Sequence, residues 1–232
     1  MVADVGAIDE AARRTALEAA EAKAFALLAE VEEAGLIAPG RSERDVEEDI
    51  AAIAARRFGV KKHWHKRIVR AGANALTSFS DNPPLRTIAD DDLVYLDIGP
   101  VFEAWEADVG KTYALGVDPA KLRLVGDLER LFTGVQRHFH ATPDITGAEL
   151  YATACAAAEG AGWTFGAKSA GHIVAEFAHG HLPGNKMWNR IAPGNTTRMR
   201  DLDTLGRIKH WILEIHLVDQ ARAFGGFYER LL

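Results

Sequence analysis

The chain has 232 residues, 48% hydrophobic and 26% charged, with a formal net charge of -6. That is an ordinary balance for a globular protein long enough to bury a core without disulfides or a metal, and its acidity argues against a nucleic-acid binder, which needs a basic face. No stretch approaches the roughly 18–20 apolar residues that span a bilayer, and the opening Met1-Val-Ala-Asp-Val-Gly lacks the basic and apolar regions of a signal peptide, so the expected location is the cytoplasm, with neither nucleic acid nor membrane as partner.

In chain order, residues 8 to 34 read as one long helix, with Leu17, Ala20, Ala24, Leu27, Leu28 and Val31 at helical spacing. Gly35 stops it and Pro39-Gly40 makes a turn. Ser42 caps a second helix, with Asp45 placed as in a capping box, and Gly59 ends that helix after Phe58. Residues 66 to 71 read as a strand and 72 to 92 as a loop rich in Gly, Asn, Ser, Asp and Pro. Leu93 to Gly99 is a short apolar strand ending in an acid, and Val101 to Trp105 and Asp108 to Leu115 suggest strands pairing antiparallel around a turn. Pro119 opens a helix to residue 140, and Thr146-Gly-Ala-Glu149 opens another that ends near Gly160. Cys155, the lone cysteine, sits in an alanine-rich part of that helix and reads as a small buried residue. Residues 180 to 206 are loop-like, while Trp211 to Val218 and Gly226 to Leu232 read as strands spaced for a hairpin. This order of elements predicts an α+β fold. The length fits one large domain or a small one fused to a medium one.

Acids are depleted in strands, yet Asp97, Asp108, Glu214 and Glu229 lie in apolar strands or at their ends. A carboxylate pushed toward a core needs a compensating charge or it stays protonated. Each has a structural explanation alone: Asp97 as a turn cap, Glu214 on a solvent-facing edge with His216 on the same face. Together with His172, His179 and His181 in Ser169-Ala-Gly-His-Ile-Val-Ala-Glu-Phe-Ala-His-Gly-His, they suit a pair of divalent cations such as Mn, Fe, Co or Zn. His172 and His179 share a face in a helix and lie on opposite faces in a strand, and Gly171 permits close backbone approach.

These residues resemble the pita-bread metallopeptidases: methionine aminopeptidases, Xaa-Pro aminopeptidases, prolidases and creatinase-like enzymes. The resemblance rests on Asp97-Ile-Gly followed 11 residues later by Asp108-Val-Gly-Lys-Thr, then Gly171-His172, His179, Glu214 in Ile-Leu-Glu, and Glu229 in the last strand. It runs from about residue 10 to the C-terminus. It implies one pita-bread domain over residues 1–232, a mixed or antiparallel curved sheet backed by helices, with residues 1–60 as its helical N-terminal part. It also implies two divalent ions, Mn first and Co, Fe or Zn as alternatives, about 3.5–4 Å apart. Their ligands would be Asp97, Asp108, His172, Glu214 and Glu229, with Asp108 and Glu229 bridging. A shared hydroxide would attack the substrate carbonyl, Glu214 would carry the proton, and His179 would hydrogen-bond the developing oxyanion.

Three positions depart from the family pattern. A histidine expected before the first aspartate strand is Ser78, one expected four residues before His172 is Lys168, and an arginine expected two before Glu229 is Phe227. His63, His65 or His181 is a candidate to fill a vacated role, although Lys61-Lys-His-Trp-His-Lys-Arg67 reads equally as a solvated basic stretch. Ser78, His181 and Trp188 are the candidate substrate contacts. The resemblance is to a short form without the extra N-terminal domain usual in Xaa-Pro and creatinase-like members, so the expected site is more open or is completed by a second subunit in a homodimer. The expected function is removal of the N-terminal residue from short peptides, Xaa-Pro peptides first. The alternatives are a creatinase-like amidohydrolase on a small non-peptide amide and a non-catalytic binding module of the same fold.

Overall fold

The computed structural model describes residues 9–232, so residue 8 of the first expected helix and the N-terminal segment read for a signal peptide lie outside the described residues. Helix α1 (Glu10–Glu33) is capped by Asp9, whose side chain accepts the Ala12 N–H, and it buries Leu17, Ala20, Ala24, Leu27, Leu28 and Val31, the stripe expected from the spacing. Helix α2 (Glu43–Phe58) begins at a reciprocal Ser42–Asp45 capping box and ends at Gly59. Helix α3 (Pro119–Ala141) has Pro119 in its first turn, and α4 (Gly147–Gly160) opens on a Thr146–Glu149 capping box. These ends are legible because capping is a local contest for the unpaired N–H groups of the first turn.

The strands are β1 (Ile68–Ala71), β2 (Leu93–Ile98), β3 (Val101–Phe102), β4 (Trp105–Glu106), β5 (Val109–Ala114), β6 (Thr164–Phe165), β7 (Gly171–Val174), β8 (His210–Asp219) and β9 (Phe224–Leu231). The main sheet runs β1-β2-β5-β9-β8-β6, with β7 also on β8, and every pairing is antiparallel. One expectation is corrected. Residues 101–105 do not pair with 108–115. Val101–Phe102 folds back onto Trp105–Glu106 in a two-residue hairpin, whose turn holds Glu103 at φ 59°. That frees β5 to pair with β2 and β9. Cys155 is also only half-buried in α4 rather than in the core.

One face of the sheet is covered by helices. α1 and α2 pack Leu27, Val31, Val46 and Ile50 against Val94, Leu96, Ile98 and Val109. α3 and α4 pack Leu124, Leu128, Phe132 and Leu150 against Leu213, Ile215, Leu217 and Tyr228. Each such side chain taken from water contributes about 1.5–3 kcal/mol before chain entropy is set against it. Alternation along a strand then dictates that Asp97, between Leu96 and Ile98, and Glu214, between Leu213 and Ile215, point to the other face. Buried Glu43, at the start of α2, ties that helix to the end of β1 and the segment after it: its carboxylate accepts from the Ala71 N–H at 2.7 Å, the Asn74 amide at 2.9 Å and the Arg86 N–H at 3.0 Å.

Candidate metal centre

Register brings the acids together. Asp97 faces Gly110 across β2 and β5, Gly110 faces Glu229 across β5 and β9, and Glu229 faces Glu214 across β9 and β8. Directly opposed residues of a sheet share a face, so Asp97, Glu229 and Glu214 form one row, with Asp108 two residues before Gly110. A Cβ at Gly110 would lie 2.7 Å from the Phe227 ring and 3.1 Å from Glu229 Cγ; the missing side chain leaves room for the next carboxylate. The row behind holds Tyr95, Phe227 and His216, an aromatic floor closed by a contact between His216 Nε2 and the Ala75 carbonyl at 2.9 Å.

His172 enters from β7, where its Nε2 lies 3.1 Å from Asp108 Oδ2 and 3.7 Å from Glu214 Oε1. Gly171 makes this approach possible: its φ is +132°, and a Cβ there would lie 2.0 Å from the Ile212 carbonyl oxygen. Neither the helical nor the strand reading of the His172–His179 spacing holds. After β7 the chain runs along the β3–β4 hairpin, with Glu106 N–H donating to Ala175 and Phe177 N–H to Ala104. A 3-10 turn (His179–His181) follows, and the His179 ring stacks on His172 with centroids 5.5 Å apart. Buried Glu106 fixes that ring, its two oxygens meeting His179 Nδ1 at 2.5 Å and accepting the His179 N–H at 3.0 Å.

A further histidine belongs to the group. His65 Nε2 lies 3.1 Å from Asp108 Oδ1 and 3.5 Å from Asp97 Oδ1. Trp64 beside it sets its indole edge-on to His65, His172 and His179 and donates Nε1–H to the Ala107 carbonyl at 2.9 Å. The basic residues around His65 gave the solvated reading of this stretch. The pairing of residues 62–64 with Gly99 and Val101 turns it inward. Trp64 and Glu106 carried no signal in the sequence, because their roles arise from distant pairings.

The electrostatics are those of crowded acids. Burial, then Asp108, Asp97 and Glu214, push Glu229 far above the usual carboxylate range. Burial also raises Asp97 and Glu214, although His65 and His172 respectively oppose it. Burial would raise Asp108 as well, but His65 and His172 on either side hold it below its ordinary value. Burial would lower both of those histidines. Asp97 and Asp108 instead hold His65 up at about 9, and Asp108 and Glu214 do the same for His172. Glu229 Oε1 is buried with no hydrogen-bond partner. An unpartnered carboxylate oxygen among four clustered acids and two imidazoles is a donor set that fits divalent cations.

The remaining candidates lie apart from this cluster. Ser78 is exposed, and its N–H and hydroxyl both bond Asp81 Oδ2; its neighbour Phe79 instead reaches the His65 ring, centroids 5.6 Å apart. His181 is exposed. Trp188, 45% exposed, lines a cavity of about 160 Å³ with Leu182, Leu202 and Lys209, and that cavity includes none of the clustered acids or histidines. Arg200 donates to the carbonyls at the end of α3, and Arg198 pairs with Asp144.

The sequence model of Metallopeptidase family M24 matches residues 6–202. The chain belongs to this metallopeptidase family. Among solved structures it is similar to the dipeptidase PepE of Mycobacterium ulcerans, at 25% identity and a TM-score of 0.74 over 97% of this chain and 56% of that one. It is also similar to an X-Pro aminopeptidase of Thermotoga maritima (15% identity, TM-score 0.72, 95% of this chain, 58% of that one). A methionine aminopeptidase of Thermotoga maritima shares the fold over more of its own length (17% identity, TM-score 0.67, 98% of this chain, 93% of that one). The M24 chain thus spans little more than half the length of the dipeptidase and X-Pro aminopeptidase chains. No curated protein matches it in sequence. Among the described residues no helix is long and apolar enough to cross a membrane.

Proposed function

We propose that this M24 chain is a dinuclear metal-dependent hydrolase that removes the N-terminal residue of short peptides, Xaa-Pro peptides first, and works as one domain. The observation that carries the reading is the row of Asp97, Glu229 and Glu214 with Asp108 beside it, all on the face left free by the helices. Asp97, Asp108, His172, Glu214 and Glu229 would hold the two cations, Mn²⁺ being the first choice for so oxygen-rich a set. Cations held there would supply Lewis-acid polarisation of the scissile carbonyl and acidify the attacking water. Glu214, raised by burial, is suited to accept the proton of that water and pass it to the leaving amine. His179, anchored through Nδ1 by Glu106, keeps Nε2 for the carbonyl oxygen as negative charge develops on it.

A small-amide substrate is the second reading. It is favoured by Phe227 and Ser78: a ring packed against Gly110 and a hydroxyl spent on Asp81 stand where the family pattern has polar groups. The test is hydrolysis by metal-stripped protein with and without Mn²⁺, on Xaa-Pro dipeptides, longer Xaa-Pro peptides and Met-Ala peptides, with Asp108→Ala as control. Metal-dependent release of the first residue, lost in the control, supports the peptidase. Folded, metal-loaded protein that turns over none of these peptides removes it and leaves small amides.

A further inference from the structure

We propose that His65 is a sixth protein ligand of this centre, holding the cation on the Asp97 side. The inference rests on the metal-dependent reading above and adds a second nitrogen to a ligand set in which His172 supplies the first.

His65 and His172 are built alike. Each approaches the same carboxylate, Asp108, from opposite sides, Nε2 lying 3.1 Å from Oδ1 in one case and 3.1 Å from Oδ2 in the other. In each ring Nδ1 meets the backbone carbonyl of the following residue, Lys66 at 2.6 Å and Ile173 at 2.7 Å. A carbonyl only accepts, so Nδ1 carries a proton and donates it. The neutral ring then has its lone pair on Nε2, aimed at the acids, the arrangement by which proteins orient metal-binding histidines. A lone pair facing two carboxylates is repulsive unless a proton or a cation lies between them. One donor atom each from His65, Asp97 and Asp108 lie within 4.8 Å of one another, close enough to share one ion.

The space is made for this ring. Gly99 follows Asp97 by two residues, and a Cβ there would lie 2.2 Å from His65 Cδ2 and 2.4 Å from Nε2. Trp64 holds the ring from the other side, centroids 4.3 Å apart. The chemical consequence is selectivity. Without His65 the Asp97 side offers only oxygen, which suits Mn²⁺. With an imidazole it moves toward Co²⁺ and Zn²⁺, so both halves of the centre carry one nitrogen.

The test uses Co²⁺ with metal-stripped wild type, His65→Gln and His138→Ala, the last altering an exposed histidine on α3. Glutamine still donates a hydrogen bond to a carboxylate but is a poor ligand, so His65→Gln separates a ligand from a mere ion-pair partner. Affinity is read by competition with a chelator, and imidazoles per ion by X-ray absorption. The expected result is two imidazoles per pair of ions in wild type and in His138→Ala. His65→Gln should show one, with one equivalent bound at least ~10-fold more weakly, on the scale at which even outer-shell losses weaken metal sites. Unchanged affinity and imidazole count in His65→Gln overturns the proposal. So does a single imidazole per pair of ions in wild type, which needs no variant to fold. Wild type that binds no Co²⁺ overturns the metal-dependent reading as well, whereas bound Co²⁺ with one imidazole removes His65 alone.

Discussion

Glu229→Gln should make the metal-free protein more stable and shrink the stability that metal adds. Glu229 is 2% exposed, its Oε1 has no hydrogen-bond partner, and it directly faces Glu214 across β8 and β9. Facing residues of an antiparallel pair have Cβ atoms about 4.5–5.5 Å apart. Two like charges about 5 Å apart repel by roughly 3 kcal/mol at an effective dielectric of about 20. The metal-free protein already relieves part of this by keeping a proton among the acids. The neutral isostere should therefore recover about 1–2 kcal/mol, and at about 2–4 °C per kcal/mol for a chain this size the melting temperature in EDTA should rise by roughly 2–8 °C. With metal that gain is offset. An ion at about 100 times its Kd adds about 2.7 kcal/mol to the folded state, and a tenfold loss of affinity on removing one of the proposed carboxylate ligands halves that increment. The assay is thermal unfolding of wild type and E229Q in EDTA and in excess Mn²⁺ or Co²⁺. E229Q that melts below wild type in EDTA would show that Glu229 makes a structural bond that the strand register does not reveal. An undiminished metal increment would remove Glu229 from the ligands.

Three further outcomes follow from the same geometry. Glu106→Gln leaves the cluster of acids intact but weakens the anchor on His179, so peptide hydrolysis should fall by about 10²–10³, the scale of losing one oxyanion donor, with metal content by elemental analysis unchanged; lost metal would refute it. Gly171→Ala puts a Cβ 2.0 Å from the Ile212 carbonyl oxygen at a φ of +132°. It should cost on the order of 3 kcal/mol or more in urea unfolding, and a fully stable variant would mean β7 can shift without loss. Metal-free protein should lose stability as pH rises from about 6 to about 9, followed as the melting temperature in EDTA. Glu214 and Glu229 are raised above 4.5 by burial, so they hold more protons folded than unfolded and destabilise the fold as pH climbs through that window. His65 and His172, held at about 9, contribute stability present below 6.5 and lost as pH rises through 9. Saturating metal takes the place of those protons and should flatten the profile.

The parts of this molecule that the sequence makes legible are governed by neighbours within a few residues. The Ser42–Asp45 and Thr146–Glu149 boxes and the Gly59 stop fix helix ends through contacts three to five residues apart, and they appear as read. The four acids stand out for another reason, because charges in apolar strands violate a local rule, whereas His172 is marked only by the histidine-containing run after Gly171 and by the family resemblance. What escaped reading depends on register between distant segments. The hairpin that closes at residues 101–106 and frees β5 is decided by competition among strands. His65 was one of two histidines in a lysine-rich stretch, and its inward turn depends on Gly99, 34 residues away. The imidazole expected at Ser78 has a physical counterpart beside it, because Phe79 from the same loop packs on the ring of His65.

The row of acids also fits a sheet face arranged to receive cations rather than to close on its own hydrogen bonds. Asp108 is flanked by two imidazoles and stays ionised, while Asp97, Glu214 and Glu229 are all pushed toward the protonated form. Negative charge is thus favoured on the one carboxylate that both histidines reach, and the three that surround it are raised above the usual carboxylate range. Ordinary packing would replace those three with apolar side chains, since a buried ion cluster rarely gains stability over a hydrophobic one. The sheet instead removes side chains at Gly99 and Gly110 and bends the backbone at Gly171 so that the acids and imidazoles converge. A cation held among these acids would offset the cost of burying them together.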